Sequence, residues 1–113
     1  MKRQEWENQL LAAGYIDERK LFTLTNIKSS PNGIFGMVFL AIKDNTLTIY
    51  DTDIQANVKE KLFDIDLDKI SEVKINTMPL IYKLSFVYEG FRYRFSAGFV
   101  KGAPISEYFR ERQ

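Results

Sequence analysis

Few residues in this chain are suited to chemistry, and the types that are missing decide most. Its 113 residues include no histidine and no cysteine. A Ser-His-Asp triad, an imidazole or thiolate metal site, a disulfide and a cysteine nucleophile therefore cannot be built. General acid–base work would fall to carboxylates, lysines or tyrosines, and no pair of these is convincingly spaced for it. The most suggestive acids are Asp64, Asp66 and Asp68, at the alternate spacing with which an EF-hand loop opens on calcium. Lys69 stands where that loop needs glycine, and Ile75 stands at its twelfth position in place of a bidentate Glu. The three acids read instead as a turn whose carboxylates are solvated or cap local amides. Gly98-Phe99-Val100-Lys101-Gly102 matches neither a phosphate-binding loop nor a dinucleotide fingerprint. The expectation is a protein that is not an enzyme and that holds no metal and no cofactor.

The cations are the second candidate set. Lys83, Arg92 and Arg94 are interleaved with Tyr82, Tyr88 and Tyr93, which superficially suggests a stacking surface for single-stranded nucleic acid. Strand alternation puts the aromatics on the face opposite the basic residues, so the rings fill the core and the cations are solvated. No nucleic-acid partner is expected. Lys28, Lys83, Arg92 and Arg94 remain the residues that would meet an anion or an anionic lipid. Sixteen Lys plus Arg against fifteen Asp plus Glu leave a formal charge of +1, so such binding would need a local patch.

The elements that would position these residues follow from periodicity. Trp6, Leu10 and Ala13 recur at helical spacing before Gly14, which predicts a helix over residues 2–13. From Lys20 the period changes to two, and a first strand runs to the loop cluster Ser29-Ser30-Pro31-Asn32-Gly33. Further strands are predicted over residues 34–42, 46–50, 57–64, 70–76, 80–88 and 91–97. Irregular alternation of Ile70, Val73 and Ile75 indicates a bulge in the fifth. Glu89-Gly90 is a two-residue hairpin link. It sets Tyr82, Leu84, Phe86 and Tyr88 beside Phe91, Tyr93 and Phe95 on one face, with Lys83, Ser85, Arg92, Arg94 and Ser96 on the other. A terminal helix opens at Gly102-Ala103-Pro104 and carries Ile105, Tyr108 and Phe109 as its stripe.

This layout, mainly β with about seven antiparallel strands capped by a C-terminal helix, resembles the pleckstrin-homology-like (PH-like) barrel. Two stretches are similar to those of bacterial PH-like and GRAM-type domains: Met37 to Tyr50, a buried strand, a turn and a display strand, and Phe63 to Val73, with an aliphatic pair after the fourth strand. The likeness covers roughly residues 20–112, and the N-terminal helix, residues 1–14, is an addition packed on a domain of residues 15–113. The resemblance implies a non-catalytic interaction role and does not carry a ligand with it. It also implies that the loops after strands one, three and six form a rim. Here that rim carries Lys28 against Asp51, Asp53 and Glu89, which disfavours a phosphate-bearing lipid.

The second strand is apolar on both faces, with Ile34, Val38, Leu40 and Ile42 on one and Phe35, Met37, Phe39 and Ala41 on the other. The outer face needs a cover, supplied either by the N-terminal helix through Trp6 and Leu10 or by a partner. The leading expectation is therefore a module that binds a protein partner or itself as a homo-oligomer. A groove between strand five and the terminal helix, using Ile75 and Tyr108, is a variant of it. Peripheral binding to anionic membrane lipids is the alternative, and a small-molecule or enzymatic role comes third. Met1 to Trp6 lacks the apolar run of a signal peptide, and the stretch over residues 34–42 is too short to span a bilayer. A cytoplasmic location is expected.

Overall fold

Alternation dominates the sequence from Leu21 onward, and the computed structural model, which describes residues 3–55, 57–77, 81–98 and 104–112, turns it into one antiparallel sheet between two helices. The elements in chain order are α1 (Arg3–Ala13), β1 (Phe22–Ser29), β2 (Gly36–Lys43), β3 (Thr46–Thr52), β4 (Val58–Asp66), a 3₁₀ turn (Leu67–Lys69), β5 (Ser71–Thr77), β6 (Ile81–Tyr88), β7 (Phe91–Gly98) and α2 (Pro104–Arg110). The seven strands lie in the order β4-β3-β2-β1-β7-β6-β5, so β1 joins a meander of β1 to β4 to a meander of β5 to β7. The sheet curls until its two halves face each other, and the Phe63 ring of β4 meets the Tyr93 ring of β7 edge to face at 5.6 Å.

The main core fills this curl. Val38, Leu40 and Ile42 of β2 and Leu47 and Ile49 of β3 pack in one cluster with Leu84 and Phe86 of β6 and Phe95 of β7. α2 closes it with Ile105 and Phe109, the latter stacked on Phe86 at 6.1 Å. The β6–β7 register is the expected one, with Leu84 opposite Phe95 and Phe86 opposite Tyr93. Both residues of its turn, Glu89 and Gly90, take positive φ (52° and 78°), the twist that suits a two-residue hairpin.

A second, smaller core lies on the outside of the sheet. Phe22, Phe39 and Ala41 are buried there under Leu10 and Ile16, with Trp6 and Leu24 packed alongside. The Trp6 ring meets Phe22 edge to face at 5.0 Å and lies 5.8 Å from Phe39. α1 thus covers the outer face of β2 at Phe39 and Ala41. The cover stops short of the strand's entry, where Phe35 is 72% and Met37 39% exposed. Ala13, expected in the helix's apolar stripe, is exposed. Gly14 at φ +83° ends the helix and turns the chain, so Tyr15 and Ile16 take up the burial beyond it.

The polar clasp that docks α1 runs through the segment after it. Arg19 donates from Nε and Nη2 to the Asp17 carboxylate, at 2.6 Å for Nη2, and again to the backbone oxygen of Asp44. The Asp44 amide donates to Asp17 Oδ2 at 2.9 Å. Lys43 Nζ donates to the Gly14 oxygen at 3.2 Å, and Lys20 pairs with Glu7 at 3.8 Å. Hydrogen bonds from Arg19 hold the Asp17 carboxyl down at about 2.

Several boundaries differ from the periodicity. β1 starts at Phe22 rather than at Lys20, because Lys20 sits at φ +57°. β2 starts at Gly36, not Ile34: Ser30 Oγ donates to the Ile34 oxygen, the Gly33 amide donates to the Ser30 oxygen, and Gly36 takes φ +113°. β4 continues past Asp64, since Leu47 pairs with Ile65 and Thr46 with Asp66. The bulge in β5 is present as a register shift between Ser71 and Lys74, with Glu72 at φ +49°. Met78-Pro79 and Gly102-Ala103, expected to end β5 and to open α2, lie outside the described residues.

Candidate functional site

Strand register places the β1–β2 loop, the β3–β4 turn and the β6–β7 turn at one end of the sheet, because Val38 pairs with Asp51 and Ser29 with Arg94. The acids of this rim are largely committed to the backbone. Asp53 accepts from the amides of Gln55 and Asn57 and from Asn57 Nδ2, and Lys59 lies 3.4 Å from it. The Asn57 amide and side chain hold its carboxyl down at about 2. Asp51 accepts from the Thr52 amide. Lys28 stands over the Phe35 ring at 5.1 Å.

The cations instead gather on the outer face of the other half of the sheet. A groove of about 500 Å³ crosses β5, β6, β7 and β1, and Lys28, Lys74, Lys83 and Arg94 all line it. Among the described residues no acidic side chain contributes to its wall, and Asn76, Ser85 and Ser96 supply the neutral polar groups. Among the described residues none of the four cations forms an ion pair. Register explains the gathering. Lys74, Ser85 and Arg94 form one cross-strand row, and Asn76, Lys83 and Ser96 form the next.

Three of the four cations proposed from sequence, Lys28, Lys83 and Arg94, thus line one groove. The fourth, Arg92, is held beside it: Nη2 donates to Glu72 Oε1 at 3.0 Å and Nη1 to Ser85 Oγ at 3.1 Å. Lys74, Ser85 and Ser96 were not among the proposed contacts. The two serines fall on the wet face by alternation, but nothing in the pattern marks that face as a groove. Lys74 is hidden by the bulge, which shifts its phase relative to Ile70.

Ile75 and Tyr108 are both partly buried against the main core, and α2 packs on β5. Ile75 lines the basic groove and Tyr108 does not. The Tyr108 ring lies instead under two guanidinium groups, 4.4 Å from Arg112 and 5.9 Å from Arg19. Asp64, Asp66 and Asp68 do not converge: Asp64 accepts from Thr48 and Lys61, and Asp66 accepts the Asp68 amide as the cap of the 3₁₀ turn. No group of three potential metal ligands occurs among the described residues, and no helix among them is long and apolar enough to cross a membrane.

Compared with known protein families and with curated proteins, the chain matches neither a family model nor any curated sequence.

Proposed function

We propose that this chain is a non-catalytic, cytoplasmic interaction module of PH-like layout that binds an anionic group carried by a protein partner. The observation that carries this reading is the groove whose walls hold Lys28, Lys74, Lys83 and Arg94 and, among the described residues, no carboxylate. Like charges on neighbouring strands cost stability, and most cations elsewhere on this sheet have an acid beside them, as Lys61 has Asp64 and Arg92 has Glu72. Four cations without a counter-ion among the described residues are suited to receiving one from outside. The neutral hydrogen-bonding groups between them add direction to the charge.

The partner is tested with the intact chain and a fluorescently labelled oligoglutamate peptide, followed by anisotropy. Binding should weaken as salt rises, because exposed ion pairs are screened, and the double variant Lys83→Glu/Arg94→Glu should bind at least about tenfold more weakly, the loss of roughly one charged contact. Salt-independent binding, or an unchanged affinity in the double variant, contradicts the reading. Binding to anionic vesicles that exceeds binding to the peptide would favour the membrane alternative.

A further inference from the structure

The centre of the groove holds a hydroxyl rather than a charge. Ser85 on β6 lies directly opposite both Lys74 of β5 and Arg94 of β7, and residues so paired project from the same face. Lys83, two residues earlier on β6, shares that face. Neighbouring strands are about 4.8 Å apart and alternate residues about 6.8 Å apart, distances that long basic side chains span. One hydroxyl is thus surrounded on three sides by cations.

Its polarity is also set. Ser85 Oγ already accepts from Arg92 Nη1 at 3.1 Å, and Arg92 is in turn anchored to Glu72 Oε1 at 3.0 Å and to the Glu72 backbone oxygen at 3.4 Å. A hydroxyl that accepts from a guanidinium keeps its own proton to donate elsewhere. Arg92, its charge balanced by Glu72, therefore acts on Ser85 and adds no further pole to the groove.

We infer that Ser85, Lys74, Lys83 and Arg94 form a cradle for a phosphomonoester dianion, with Arg92 as the positioning residue. This deepens the anion-binding reading above and rests on it. A phosphomonoester presents three terminal oxygens and close to two negative charges, enough to engage three cations and one hydroxyl donor together. A carboxylate has two oxygens and one charge and leaves part of the cradle uncompensated. The phosphate is borne by a side chain of a protein partner: the cradle is recessed in a groove, which a single projecting side chain can enter and a flat layer of anionic head groups cannot.

The test is an amide NMR titration of the full chain with inorganic phosphate, run in parallel with acetate at matched ionic strength. Phosphate should shift the Ser85 and Arg94 amides saturably and bind about tenfold more tightly than acetate, and Ser85→Ala should remove most of that margin, the scale of one hydrogen bond to a charged group. Arg92→Lys, which can still donate to Ser85, should keep the phosphate-to-acetate ratio, whereas Arg92→Leu should lower it. A merely structural role would change the melting temperature and leave the ratio alone. Equal response to phosphate and acetate overturns the cradle and leaves the anion groove standing. No response to either ion overturns both. A phosphoserine peptide should bind and phosphatidic acid vesicles should not, and the reverse result would overturn the assignment to a protein-borne phosphate.

Discussion

The two outer faces of this sheet are opposites. On the β1–β2–β3 side, Phe22, Phe39 and Ala41 are sealed by α1, and the cavity of about 510 Å³ that remains beside the helix is lined by Trp6, Leu10, Leu24 and Val58 with the neutral amides of Gln9, Gln55 and Asn57. On the β5–β6–β7 side a groove of similar size, about 500 Å³, lies open and basic. Both faces come from the same period-two pattern, and what differs is the residue type at the outward positions. Apolar outward residues call for a cover and gain stability from it. Cations that form no ion pair among the described residues gain little from folding and stay available. The comparison separates a face that serves the fold from one that, on the function proposed above, serves a ligand.

The largest effect expected from breaking this division is Phe39→Ala. Phe39 is fully buried and its ring packs against both Trp6 and Phe22, so the truncation should cost about 3–5 kcal/mol by chemical denaturation. The chain's single tryptophan, Trp6, makes the loss of α1 docking visible as a red shift of its fluorescence. Gly90→Ala should cost less, about 1–2 kcal/mol, since Gly90 takes φ +78° and a side chain in that left-handed conformation is strained. Neither change touches the groove.

The opposite face should respond the other way round. Lys83→Glu places a carboxylate diagonal to Lys74 and Arg94, so stability should stay level or rise by about 0.2–1 kcal/mol, while anion binding falls. A loss of stability larger than that would mean that Lys83 has a structural partner.

A further effect concerns acid. The Asp17 carboxyl titrates at about 2 in the folded chain, below the ordinary value of 3.8. Its stabilisation is therefore complete above the unfolded value and is lost as pH falls from about 3.8 towards about 2. Trp6 fluorescence should hold steady from pH 7 to about 4 and drift in that acid window, and Asp17→Asn should flatten the drift.

Much of the fold was legible in the residues. The run from Tyr82 to Phe95 fixes its own register, because a one-residue slip would send Phe86 and Phe95 into solvent. Trp6 and Leu10 announced a helix, and the apolar outer face of β2 announced the need for it. The groove was not legible, because which cations remain unpaired depends on long-range register. Arg92 and Lys83 look alike in sequence, yet Arg92 meets Glu72, twenty residues away across the sheet, and Lys83 forms no ion pair among the described residues. The count of charges on the rim loops, which disfavours a phosphate-bearing lipid there, does not reach the groove for a related reason. It placed Lys28 among Asp51, Asp53 and Glu89, whereas Lys28 belongs to the groove, and it left out Lys74.

The most direct test of the central claim is to map, residue by residue in an amide NMR titration, where oligoglutamate perturbs the chain. Shifts confined to Lys74, Asn76, Lys83, Ser85, Arg94 and Ser96, with Trp6 and Phe39 unmoved, are the predicted result. Shifts centred on the α1 face or spread evenly over the surface would contradict it.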